Sequence, residues 1–143
     1  MSVIISIPGV PVAKARARFA RAGRFTRTYD PQQQTTDWAR LSDGFAKAKD
    51  ELGGYIDGPV AIDAVFVFPI PGSWSRKKKA AAEAGLMPHD IRPDIDNLLK
   101  TVMDLGNVYL WRDDKIVARV TARKVYGTDP KTSLLISRLG EGV

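Results

Sequence analysis

The sequence predicts a single α+β domain in which a mixed β-sheet is packed by a few helices. Three observations carry that prediction. Short β-branched runs alternate with segments of helical periodicity, turn residues punctuate the boundaries, and no internal repeat or linker divides the chain. At 143 residues, 44% of them hydrophobic and 27% charged, the chain is long enough to bury one core without crosslinks. Cysteine is absent, which excludes disulfides, thiolate metal sites and a cysteine nucleophile, so any metal must be held mainly by oxygen.

Val3 to Ile7 is β-branched and stops at Pro8-Gly9, so it reads as a first strand ending in a turn. From Lys14 to Arg27 a basic segment carries six cations, with no acid before Asp30. Thr35 or Thr36 can cap a helix running to about Leu52, with Trp38, Leu41, Phe45 and Ala48 on one face and Gly53-Gly54 ending it. Val60 to Phe68, between Pro59 and Pro69, reads as a buried strand. Ser73 or Ser75 starts a short helix closed by Gly85, and Pro93 precedes a second helix from Asp94 to Leu105, closed by Gly106. Ile116 to Tyr126 and Ser133 to Leu139 alternate as two last strands.

A net charge of +6 and a pI near 9.7 suit a polyanionic partner. No apolar run is long enough to span a bilayer, and Val3 to Ile7 lacks the basic flank and cleavage site of a signal peptide, so a cytoplasmic location without membrane association is expected.

Against that basic background stand Asp94, Asp96, Asp113 and Asp114. On the helix after Pro93, Ile95, Leu98, Leu99, Val102, Met103 and Leu105 cover an arc of roughly 160°, leaving Asp96, Asn97, Lys100 and Asp104 on the other side. Asp94 and Asp96 would point apart on a continuous helix, so a shared ion requires Asp94 to stand outside it as an extended N-cap. Pro93 favours that break by disfavouring helical geometry at Arg92. Crowded carboxylates repel one another unless a cation lies among them, and Mg²⁺, with Mn²⁺ as a substitute, prefers oxygen ligands. Taken singly, each residue has a plainer reading: Asp94 as a cap, Asp96 and Lys100 as an i, i+4 ion pair, and Asp113 and Asp114 as turn residues.

The Arg92-Pro-Asp-Ile-Asp-Asn-Leu-Leu-Lys100 core followed by Trp111-Arg-Asp-Asp114 resembles the RusA family of Holliday junction resolvases, its phage-borne branch in particular. Ile7-Pro-Gly-Val-Pro11, the basic Lys14, Arg16 and Arg18, and Ser73-Trp-Ser-Arg-Lys77 extend the likeness over most of the chain. The resemblance implies a RusA-like fold and a homodimeric, Mg²⁺-dependent endodeoxyribonuclease acting in recombination and repair. It would bind four-way or other branched DNA and introduce paired symmetric nicks, in a bacterial or phage-infected cell. Asp94, Asp96 and Asp114 would be the metal ligands and Lys100 the catalytic lysine; spacing alone does not separate Asp113 from Asp114. One departure is Ala17 between Arg16 and Arg18, where some members carry proline, which alters loop stiffness and leaves the acidic motif untouched. A basic nucleic-acid-binding protein without catalysis, and a nuclease of broader branched-DNA preference, are the rival readings.

Lys14, Arg16, Arg18, Arg21, Arg24 and Arg27, interleaved with Phe19, Phe25 and Tyr29, are candidate DNA contacts. So are Arg76, Lys77, Lys78 and Lys79, which open a helix where cations face the positive end of the dipole. Asp104 is placed to orient Lys100 or to lie on the surface, and Asn97 to steady the acidic loop or a phosphate. Trp74 and Trp111 are placed to wedge into a junction or to be buried at a dimer interface, and His89 is read as structural.

Overall fold

The computed structural model describes residues 1–15, 18–22, 25–29 and 35–140, with the side chains of 18–22 and 25–29 left aside. Ten elements follow in order: β1 (Ser2–Pro8), β2 (Arg18–Ala22), β3 (Phe25–Tyr29), α1 (Thr36–Leu52), β4 (Val60–Pro69), α2 (Arg76–Glu83), α3 (Ile95–Tyr109), a 3₁₀ turn (Asp114–Ile116), β5 (Val117–Gly127) and β6 (Lys131–Arg138). The α+β prediction holds. Four strands form a mixed sheet in the order β1-β6-β4-β5, with β6 antiparallel to both neighbours and β4 parallel to β5, while β2 and β3 pair as a separate antiparallel ribbon.

Each main element follows from local chemistry. In β1 the residues alternate strictly, so Val3, Ile5 and Ile7 are buried and their neighbours exposed. Helix α1 starts where the Thr35 hydroxyl accepts from the Trp38 amide and ends at Gly53 in the left-handed conformation, with Leu41, Phe45 and Ala48 buried. Strand β4 lies between β6 and β5, and Val60, Ala61, Ile62, Ala64, Phe66 and Phe68 are buried while Asp63 and Pro69 are exposed. Helix α2 is capped by Ser75, whose hydroxyl accepts from the Lys78 amide.

Parallel pairing of β4 with β5 obliges the chain to travel back along the sheet between them, and α3 makes that return. It buries Leu98, Val102 and Leu105, each worth about 1.5–3 kcal/mol. The acidic loop therefore lies at the carboxyl ends of β4 and β5, and Asp113 and Asp114 lie at their amino ends.

The basic segment, to which the sequence assigned no element, contains the antiparallel strands β2 and β3; cations occupy positions where apolar alternation would have shown them. One sequence expectation is corrected. Gly106 does not close α3, which continues to Tyr109. Its lack of a side chain instead makes room for Trp111: a Cβ there would stand 2.2 Å from Trp111 Cζ2. The Trp111 ring is fully buried and donates from Nε1 to Asn107 Oδ1 at 2.9 Å. Gly106→Ala would gain about 1 kcal/mol of helix propensity, but overpacking against an immovable ring costs about 1–3 kcal/mol or more, so net destabilisation is expected. Urea unfolding checks this, and a stabilised variant would show that the indole can yield.

Candidate functional site

Asp94 stands at the N-cap of α3 with φ −68° and ψ 142°, extended as a shared site requires. Its carbonyl accepts from the Leu98 amide at 3.2 Å, but its carboxylate makes no capping hydrogen bond. The cap is thus made by backbone, and the side chain stays available. Asp96, in the first turn, accepts from the Asn97 amide at 2.9 Å, and its other oxygen lies 3.9 Å from Lys100 Nζ. Lys100 also donates to Asn97 Oδ1 at 3.4 Å, so Asn97 steadies the lysine as well as the turn. Asp94, Asp96 and Lys100 are all exposed, and a cleft of about 330 Å³ lined by Arg92, Pro93, Asp94 and Asn97 opens beside them.

The loop before Asp94 contains a cis Arg92-Pro93 peptide and is held from β5. Lys124 Nζ donates to the carbonyls of Ile91 at 2.7 Å and Pro93 at 2.9 Å. Upstream, the buried His89 ring stacks on Phe68 with centroids 4.3 Å apart and lies 4.8 Å from Tyr126. Burial holds the His89 imidazole below its ordinary pKa, and the Lys124 charge pushes the same way, while burial raises the Tyr126 phenol. His89 is therefore a neutral core residue. Lys124, which holds the backbone just before Asp94, is a residue that sequence reading passed over. Its signal was a cation at an inward position, between Ala122 and Tyr126, where alternation calls for an apolar side chain.

At the other end of α3, Asp113 caps the 3₁₀ turn by accepting from the Lys115 amide at 2.9 Å. Asp114 is exposed, and among the described residues its carboxylate has no hydrogen-bond or ion-pair partner. Asp113 lines a cleft of about 720 Å³ with Tyr55, Asp57, Arg112 and Lys115. This end lies far from Asp94. The 15 residues of α3 span about 22 Å, and the strand path from Val117 to Lys124 covers a similar distance of about 23 Å. Consistently, no group of three His, Cys, Asp or Glu side chains able to hold a metal occurs among the described residues. One chain sets Asp96 beside Lys100 in the first turns of α3, with Asp94 at the N-cap of the same helix, and leaves Asp114 beyond its other end.

The other candidates divide. Lys14 Nζ pairs with Asp104 at 3.0 Å and lies 5.0 Å from the Trp38 ring, so Asp104 orients Lys14 rather than Lys100. The Lys14 amide also donates to the Asn97 carbonyl at 2.9 Å, tying the start of the basic segment to the first turn of α3. Arg16 and Arg24, and the side chains of Arg18, Arg21 and Arg27, lie outside the described residues. Arg76, Lys77 and Lys78 are exposed and Lys79 half-buried, with Lys78 Nζ 4.0 Å above the Trp74 ring. Trp74 packs edge-on against Tyr126, whereas Trp111 belongs to the core of its own chain and is neither a wedge nor an interface residue.

The sequence pattern of the family described as "Endodeoxyribonuclease RusA" matches residues 8–137, which include both acidic segments. The chain belongs to the RusA family. It is accordingly an endodeoxyribonuclease, a hydrolase of DNA phosphodiester bonds. It is also similar to an uncharacterised protein of Bacillus subtilis (strain 168), YqaN, at 29% identity over 133 residues and 92% of each chain. Among the described residues, no helix is long and apolar enough to cross a membrane.

Proposed function

We propose that the protein is a homodimeric, Mg²⁺-dependent nuclease that resolves four-way DNA junctions, with Asp94, Asp96 and Asp114 as ligands, Lys100 as the catalytic lysine and Mn²⁺ as a substitute ion. The observation that carries this reading is the pair Asp94 and Asp96 at the N-terminus of α3, with Lys100 one turn along and the Asp94 carboxylate uncommitted. The donor set suits a hard cation: it is all oxygen, and Asp94 and Asp114 have no competing hydrogen bonds among the described residues.

Because α3 separates Asp114 from Asp94 and Asp96 within one chain, a complete ligand set calls for Asp114 of a second copy. A twofold dimer would then form two equivalent sites, as paired nicks in symmetry-related strands require. When bound, the ion would polarise the attacking water and the scissile phosphate. Lys100 stands on the same face to neutralise charge that builds on the non-bridging oxygens, and Arg92 lines the cleft where a phosphate would enter. The basic segment from Lys14 to Arg27 and the Arg76 to Lys79 turn supply cations for flanking backbone.

Purified protein is expected to cut a synthetic four-way junction in Mg²⁺ or Mn²⁺, with cleavage abolished by EDTA and restored by excess Mg²⁺. Product mapping should show symmetric paired nicks, and linear duplex should remain intact. Cleavage of flaps and three-way forks at equal rates would favour the broader nuclease. Junction binding without cleavage in either metal would overturn the catalytic reading.

A further inference from the structure

Strand β5 carries a lysine where its alternation turns inward. Ala122 packs on the core, Tyr126 is buried, and Lys124 between them is half-buried. A partly desolvated ammonium needs compensation, usually a carboxylate. Among the described residues none lies within 4.0 Å of Lys124 Nζ; two of its three donors go instead to the carbonyls of Ile91 and Pro93. The Pro93 carbonyl belongs to the peptide that begins Asp94. Ile91 is 57% exposed and Arg92 is exposed. Among the described residues, the anchors on either side are the His89 ring against Phe68 and Tyr126, and the Lys14 amide on the Asn97 carbonyl.

We propose that Lys124 is a positioning residue: by gripping the Ile91 and Pro93 carbonyls it sets where the Asp94 carboxylate stands relative to Asp96. It also places a fixed positive charge behind the acidic pair. Charge-assisted bonds to two carbonyls are stronger than neutral ones, and they act on the backbone, so they fix the entry of the chain into α3 rather than one side-chain rotamer. The consequence for metal binding rests on Asp94 and Asp96 being ligands; the consequence for the loop does not.

Full-length Lys124→Met and Lys124→Arg variants separate the two. In metal-free protein, backbone ¹⁵N order parameters over residues 89–97 should fall from about 0.85 toward about 0.6 in Lys124→Met, with the remainder of α3 unchanged. Mn²⁺ affinity, followed by electron paramagnetic resonance, should fall about tenfold, and junction cleavage should lose kcat with little change in KM. Lys124→Arg, which keeps charge and donors, should recover part of each effect. Unchanged order parameters in Lys124→Met would overturn the clamp. Lower order parameters with unchanged Mn²⁺ affinity and unchanged kcat would reduce Lys124 to a structural residue and overturn its positioning role. If the wild type itself binds no Mn²⁺, the metal reading fails, and the order parameters still decide whether Lys124 holds the loop before Asp94.

Discussion

Asp94→Asn and Asp96→Asn are each expected to lower junction cleavage by on the order of a thousandfold or more, which corresponds to about 4 kcal/mol of activation free energy. The substitutions keep size and hydrogen-bonding capacity and remove one negative charge, so the loss is electrostatic. Neither should unfold the protein. Both residues are exposed, and the N-cap bond of α3 is made by the Asp94 carbonyl rather than its carboxylate. In Asp96→Asn the side-chain amide oxygen can still accept from the Asn97 backbone amide, as the carboxylate does. Junction affinity in EDTA should be retained or raised, since a carboxylate facing phosphate has been neutralised. Single-turnover cleavage, gel-shift titration and thermal unfolding on the same preparations check the three statements. Wild-type cleavage by either variant would remove that residue from the site.

The second large effect is a recovery. Asp94→Asn and Asp114→Asn homodimers should each be inactive, yet a mixed dimer of the two should cut. If Asp114 serves the other chain's Asp94 and Asp96, the mixed dimer contains one doubly substituted site and one with every ligand intact. It should therefore nick one strand of the junction at close to the wild-type rate per site and leave the paired nick unmade. Co-expressed, differently tagged chains purified over both tags provide the sample. An inactive mixed dimer would place all the ligands in one chain, which requires α3 or the Asp114 turn to move by about its own helix length. The length of α3 makes that the costlier alternative.

Much of the fold was legible because its signals are local. The Thr35 and Ser75 caps, the Gly53 stop, the alternation of β1 and the apolar face of α3 all report on residues within a turn or two of one another. The extended Asp94 was legible for the same reason: two carboxylates two residues apart cannot share a ligand on one helix, and Pro93 supplies the break. Where local reading failed, a distant partner decided the outcome. Gly106 looked like a helix terminator until Trp111 claimed the space of its missing side chain. Asp104 looked like a partner for Lys100 by spacing, yet Lys14, 90 positions earlier in the chain, reaches it at 3.0 Å.

The Arg92 to Lys100 motif thus contained the chemistry of the candidate site: which residues are acidic, which turn exposes them, and the family to which the chain belongs. It did not contain the distance to Asp114 or the bonds of Lys124 to the acidic loop. The first depends on β4 and β5 being parallel, so that α3 runs the length of the sheet and separates the two acidic segments. The second depends on β5 returning beside the acidic loop, where a lysine 30 residues after Asp94 meets two backbone carbonyls. Motif spacing encodes what one turn of helix or one loop can do. Strand pairing sets what lies across from it, and that is a property of the whole chain.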